Sequence, residues 1–280
     1  MKFAICHELF ENISWAEQCR IIAALGYQGI EVAPFTISDN LAEVPDAVFD
    51  RMRREAEEHG LEVIGLHWLL ARTKGLHLTS PDPAVRAATA DYLRLLGRVC
   101  HRLGGKILVF GSPAQRNLVD GVSTEEGMRY AAEVFREVLP ALQSQSVQLC
   151  VEPLTAQETN FLNTCDEAMQ LIRMVGHPAL RLHQDVKAML GAEARPLPAL
   201  IHEYHDFCGH FHVNDSNLLG PGMGPTDFHP IVRALLDSDY RGWVSVEVFD
   251  YRPGAEHIAA VSLQYMQRVL SDLQRGDGGP

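Results

Sequence analysis

The chain runs to 280 residues with 46% hydrophobic and 21% charged side chains, enough apolar material for a sizeable core, and this excludes intrinsic disorder. Its 24 Lys and Arg against 36 Asp and Glu leave a formal net charge of −12, which gives no electrostatic footing for a long polyanion, so no nucleic acid partner is expected. No segment approaches the roughly 20 apolar residues of a membrane span, and no membrane partner is expected either.

The amino-terminal MKFAICHELFENISW carries Glu8, Glu11 and Asn12 too early for a signal peptide. From there, short apolar runs rich in β-branched residues alternate with helical patterns. Strand starts are read near Phe3, Gln28, Glu62, Lys106, Val147, Leu180, Gly209 and Trp243, a mean spacing of about 34 residues, the length of one strand–loop–helix–loop unit. Ser14 with Glu17, Ser123 with Glu126 and Thr164 with Glu167 are S/T-x-x-E capping signatures, because the first N–H groups of a helix need acceptors. Asp82-Pro83 opens a long helix that Gly104-Gly105 closes. Further helices are read at about 46–59, 197–208, 227–238 and 254–274. The six cysteines are scattered without a CxxC pair, which suits a reducing cytoplasm.

Eight such units predict a single (β/α)8 TIM barrel over residues 1–275, with 276–280 as a flexible tail. A doubly wound sheet would carry GxGxxG after its first strand, where this chain reads His7-Glu8-Leu9-Phe10-Glu11-Asn12. In a barrel the chemistry sits at the carboxyl ends of the strands. Those ends are His7, Glu31, His67-Trp68, Glu152, Asp185, His212 to Asp215 and Glu247. Each, taken singly, reads as an ion pair or a solvated loop residue. Together Glu152, Asp185, His212 and Glu247 follow the strand period and converge on one pore, where a divalent cation would neutralise the carboxylates and accept an imidazole. Oxygen-rich ligation with a single His suits Mn²⁺, with Mg²⁺, Co²⁺ or Zn²⁺ as alternatives.

The ordered set Val151-Glu152-Pro153-Leu154, Glu158 to Thr164, Leu182-His183-Gln184-Asp185, Gly209 to Asp215, Gly220-Pro221-Gly222-Met223-Gly224 and Val246-Glu247-Val248-Phe249 resembles the sugar isomerase/epimerase superfamily. These are the xylose-isomerase-like barrels that include D-tagatose and D-psicose 3-epimerases and hydroxypyruvate isomerase. The resemblance extends to Gly26-Tyr27-Gln28-Gly29-Ile30-Glu31 and covers nearly the whole chain. It implies that Glu152, Asp185, His212 and Glu247 are metal ligands, that Glu152 and Glu247 are also the acid/base pair, and that Glu158 binds substrate. It further implies a small-molecule sugar substrate and a homo-oligomer. The chain departs from the ketohexose epimerases at Ala188, where they carry His, and at Leu218, where they carry Arg; both family residues bind sugar oxygens.

His183 lies two residues before Asp185, on the same side of its strand, and is a substrate or supporting candidate. His67, Trp68, Lys187 and His7 are further substrate-binding candidates, Trp68 as an aromatic wall. The glycine-rich loop 220–224 has no Lys or Arg beside it and reads as a shaping loop. His202-Glu203-Tyr204-His205 is not HExxH and reads as surface. The function expected is a divalent-metal-dependent isomerase or epimerase of a ketose or keto-sugar, acting through an enediolate. The alternative is a keto-sugar or inosose lyase or dehydratase on the same site.

Overall fold

The computed structural model describes residues 1–276; of the tail expected over 276–280, Gly276 is the last residue of a helix and 277–280 lie outside the described residues. Eight parallel strands close into a barrel in chain order: β1 (Lys2–Cys6), β2 (Gly29–Val32), β3 (Glu62–Leu66), β4 (Ile107–Phe110), β5 (Gln148–Val151), β6 (Leu180–Asp185), β7 (Cys208–Val213) and β8 (Trp243–Val246). Each begins within one residue of its predicted start. The helices are α1 (Trp15–Leu25), α2 (Asp46–Glu58), α3 (Pro83–Leu103), α4 (Thr124–Ser144), α5 (Cys165–Val175), α6 (Val186–Ala192), α7 (Leu197–Tyr204), α8 (His229–Asp237) and α9 (Ala255–Gly276).

Helix starts follow the local chemistry. The Ser14 and Thr164 hydroxyls accept the Glu17 and Glu167 N–H groups, and only Ser123 with Glu126 closes the full reciprocal box. Glu17 turns instead to Arg20, and Glu167 accepts from the Asn163 N–H at 2.6 Å. The turn of α6 was not foreseen. Asp185 is its N-cap, accepting the Ala188 N–H at 2.7 Å, so the sixth strand feeds a helix without a loop. In turn α7 ends at Tyr204 rather than near 208, because Cys208 already belongs to β7.

The core lies between the strands' outward faces and the helices. Phe110 packs edge-on against Phe135 of α4 at 5.4 Å, and Ile5, Ile30, Leu108, Leu149 and Phe211 are fully buried. Burial of this kind contributes about 25 cal/mol per Å² of apolar surface and outweighs the weak preference of any single strand. The six cysteines are all free thiols. Among the described residues no helix is long and apolar enough to cross a membrane. The 202–205 segment lies on α7 and its end with three residues exposed, and only Tyr204 is buried.

Candidate active site

Glu152 follows directly on β5, where an apolar strand carries a carboxylate into the barrel mouth. The residue that follows β4 beside it is a glycine, and a Cβ at Gly111 would sit 2.3 Å from Glu152 Oε2 and displace the carboxylate. From behind, the fully buried Arg116 donates from Nη1 to the Glu152 carbonyl at 2.5 Å and from Nη2 to the Leu162 carbonyl at 3.1 Å. Burial, together with the Glu247 and Asp185 charges, pushes the Glu152 carboxyl well above the usual range. Asp185 accepts from Asn214 Nδ2 at 2.6 Å as well as from Ala188, yet burial and Glu247 raise it to about 6. Glu247 moves the other way. Burial would raise it, but His212 beside it and the Trp68 indole N–H outweigh that and hold it below the usual carboxylate range. Trp68 Nε1 donates to Glu247 Oε1 at 2.8 Å, and His212 Nδ1 lies 3.2 Å from Oε2.

The four residues expected as ligands are thus buried around one pore, with one difference in grouping. The ligand atoms of Glu152, His183, Asp185 and His212 lie within 4.8 Å of one another. Glu247, turned by Trp68, instead falls within the same distance of Cys6, Glu8 and His67, and it joins the first group through His212. His183 therefore stands nearer to a metal-ligand position than the sequence suggested. Its ring is fully buried, neither nitrogen has a hydrogen-bond partner, and burial followed by His212 and His210 holds it neutral. Mutually repelling carboxylates beside an unpartnered neutral imidazole are a donor set that fits an oxygen-preferring divalent cation.

Above this floor opens a cavity of about 340 Å³. Of the predicted substrate residues His67, Trp68 and Glu158 line it, together with Phe249 and the segment Gly111–Gln115. Trp68 is 36% exposed and stacks on Phe249 at 6.4 Å. Lys187 stands behind Glu158, its Nζ donating to Oε1 at 2.7 Å, so its charge is already matched. His7 is not brought to this cavity. Its Nδ1 pairs with Gln18 Oε1 at 2.8 Å and its Nε2 with Thr36 Oγ1 at 3.0 Å, because α1 and the loop after β2 offer partners that turn the ring outward, edge-on to Trp15. Ala188 is a buried residue of α6, and Leu218 is exposed and does not itself line the cavity, although its carbonyl accepts the N–H of Phe249, which does.

Glu31, a strand-end candidate in the sequence, and Glu8 and Arg116, which the sequence did not single out, support these side chains from behind. Glu31 is fully buried and pairs through Oε2 with His210 Nε2 at 3.0 Å and His212 Nε2 at 3.1 Å, fixing the ring that presents Nδ1 to the site. Glu8 pairs with His67 Nε2 at 2.8 Å, and Arg116 braces Glu152. For Glu8 and Glu31 the signal was a carboxylate at a strand end; for Arg116 it was an Arg six residues past an apolar strand.

The family model described as xylose isomerase-like TIM barrel matches residues 19–269. The chain is 29% identical over 263 residues to a D-psicose 3-epimerase of Agrobacterium fabrum, covering 89% of this chain and 85% of that one. It is 29% identical over 258 residues to a 3-dehydro-D-guloside 4-epimerase of Escherichia coli, covering 88% and 92%. Among solved structures, an L-ribulose 3-epimerase superposes with a TM-score of 0.86 at 20% identity, over 99% of this chain and 97% of that one.

Proposed function

Since the chain belongs to the xylose isomerase-like TIM barrel family, we propose that it is a divalent-metal-dependent epimerase of a ketose or keto-sugar, with Glu152 and Glu247 as the acid/base pair. The observation that carries this reading is that two buried carboxylates, following β5 and β8, line one cavity beside the donor atoms of His183, Asp185 and His212. In the metal-free protein their acidities are pushed in opposite directions, which is in keeping with separate acid and base roles. Relatives that are named epimerases of ketoses and of keto-glycosides support it.

Glu152, Asp185, His212 and Glu247 would hold the cation, with His183 beneath them and Mn²⁺ the ion best suited to the donor set. When bound, it would stabilise negative charge on a ketone oxygen and the neighbouring hydroxyl, lowering the barrier to removing the intervening carbon-bound proton. The chain's own part is to move that proton. Glu247 Oε2 takes it from one side, while the Trp68 indole keeps Oε1 directed and ionised. Glu152, three strands away around the barrel, returns a proton to the resulting enediolate from its other face, and inversion follows. Trp68 and Phe249 supply an apolar wall that excludes water during the transfer.

The test is incubation of the protein and Mn²⁺ with ketoses, inososes and 3-keto-glycosides in D₂O, with NMR detection of carbon-bound deuterium. Deuterium at a new stereocentre is the expected result. Loss of a leaving group would point to the lyase reading, and absence of exchange with every sugar, or exchange indifferent to chelation, would overturn the proposal.

A further inference from the structure

One end of the cavity is not accounted for by proton transfer. Its floor holds Glu152 and Glu247, and its third carboxylate, Glu158, is neutralised by Lys187. Much of the remaining lining comes from the loops after β3 and β4, namely Ala71, Arg72 and the segment Ser112–Gln115. Arg72 is the only arginine among the described residues that line this cavity. Its guanidinium carbon lies 4.3 Å over the centre of the Phe35 ring, and Phe35 packs in turn on Trp68 at 5.9 Å, the residue bonded to Glu247. Among the described residues the Arg72 head has an aromatic ring, and no carboxylate, as its partner. Stacking on a ring uses the face of a guanidinium and leaves the in-plane N–H groups free, the geometry that grips an oxyanion with two parallel hydrogen bonds.

The backbone of this wall is held in an uncommon form. Trp68, Arg72 and Ser112 have φ of 53°, 63° and 44°, left-handed conformations that cost non-glycine residues of order 1 kcal/mol or more and persist only where the surroundings enforce them. The enforcing contacts are visible. Ser112 Oγ accepts the Leu70 N–H at 3.2 Å, tying the loop after β4 to the loop after β3, and Thr73 Oγ1 donates to the Leu70 carbonyl at 2.7 Å within the latter. Accepting from Leu70 leaves the Ser112 hydroxyl proton free to donate on the same wall as Arg72. A strained, cross-braced segment that projects one uncompensated cation and a free hydroxyl into a substrate cavity is built to recognise something negative.

We propose that Arg72, aided by Ser112, is a specificity-determining residue for an oxyanion carried at the distal end of the substrate, so that the natural substrate is an acidic keto-sugar bearing a carboxylate or a phosphate. The inference rests on the epimerase reading above for the position of the reacting carbons. Arg72 also borders a neighbouring cavity of about 460 Å³ that Glu8 and Glu11 line together with Phe35 and Thr36, so a distal anion is expected to stop at the guanidinium and not to extend past it.

Three probes with the same reacting carbons separate the cases: D-fructose, D-fructuronate and D-fructose 6-phosphate. Deuterium exchange with Mn²⁺ is measured for the wild type, Arg72→Lys and Arg72→Ala. For at least one acidic probe kcat/KM should exceed that for fructose, and Arg72→Ala should lower the ratio of acidic to neutral kcat/KM by about tenfold or more, mostly through KM, with Arg72→Lys intermediate. Preference for fructuronate identifies a carboxylate, and preference for the 6-phosphate a phosphate. A ratio that does not exceed one, or that Arg72→Ala leaves unchanged, overturns the inference. Binding of the same probes, followed by tryptophan fluorescence, is read in parallel. Tighter binding of an acidic probe that is lost in Arg72→Ala, without exchange of any sugar, sustains the oxyanion site and counts against the epimerase reading. Equal binding of all three by both proteins removes the oxyanion site whatever the exchange shows.

Discussion

The β1–β3 side of the barrel and its β5–β8 side both carry buried carboxylates, but they dispose of the charge differently. On the first side each acid has a histidine partner within hydrogen-bond distance. Glu8 holds His67, whose pKa stands well above the usual value because Cys6 and Glu8 outweigh its burial. Glu31 lies well below the usual range because His210 and His212 outweigh its burial. On the second side Glu152 and Asp185 face Glu247 and each other, and both are driven up. Arg116, which lies behind Glu152, spends two of its donors on carbonyl oxygens. The paired side is a support and the unpaired side is the place where an added cation and a movable proton have work to do.

The contrast is sharpest in paired substitutions. Glu152→Gln should lower exchange by about 10² to 10⁴-fold, the usual scale for a lost acid/base group, while the metal-free protein melts a few degrees higher because a repelling charge is gone. Glu8→Ala leaves a buried imidazolium without its counter-ion and should destabilise by about 3–5 kcal/mol, read as a lower urea midpoint at unchanged m-value. If Glu8→Ala melts normally, or Glu152→Gln melts lower without metal, the division into support and chemistry does not hold.

A smaller effect is expected where the two sides meet. Glu31 belongs to the paired side but fixes His212, a residue of the other. Glu31→Gln should weaken Mn²⁺ binding by about 10- to 100-fold, as loss of a carboxylate behind a ligating imidazole generally does, and calorimetric titration measures it directly. Unchanged affinity would mean that His212 is held by Glu247 alone.

How much of this was readable from the chain follows from the range of each interaction. The strands and most helix ends were legible, because an apolar run, a Ser or Thr cap and a closing glycine act within a few residues. The convergence of Glu152, Asp185, His212 and Glu247 was legible because strand-end position is itself a coordinate in a barrel. Which acids are neutralised was not. Glu31 finds His210 across 179 residues of sequence and Glu8 finds His67 across 59, and no local pattern encodes those pairings. His7 failed for the same reason: its strand-end position is right, but Gln18 and Thr36 turn it away. The turn of α6 was hidden because Asp185 reads as a ligand and not as a cap, and it is placed to serve as both.

The subtlest expectation concerns that double role. In the metal-free protein burial and Glu247 raise Asp185 from its ordinary 3.8 to about 6. A carboxyl whose pKa is higher folded than unfolded contributes stability that is fully present below the unfolded value and is lost as pH rises through the folded one. Surface carboxylates held low by ion pairs, such as Asp250 beside Arg252, act in the opposite sense, so a single melting curve against pH would mix the two. The pH dependence of the difference between wild type and Asp185→Asn isolates the buried group: Asn still caps α6 through its oxygen, and the bond it loses from Asn214 Nδ2 adds an offset that does not change with pH. Measured from its value below pH 4, that difference should grow in favour of the variant, by a few degrees, between about pH 4 and 6 and level off above. Saturating Mn²⁺ should reverse its sign at the upper end, because the ionised carboxylate then gains a partner that Asn cannot replace. A difference flat with pH would mean that the hydrogen bonds from Ala188 and Asn214 already match the Asp185 charge, which would place Asp185 with the paired side of the barrel and leave Glu152 as the one uncompensated acid.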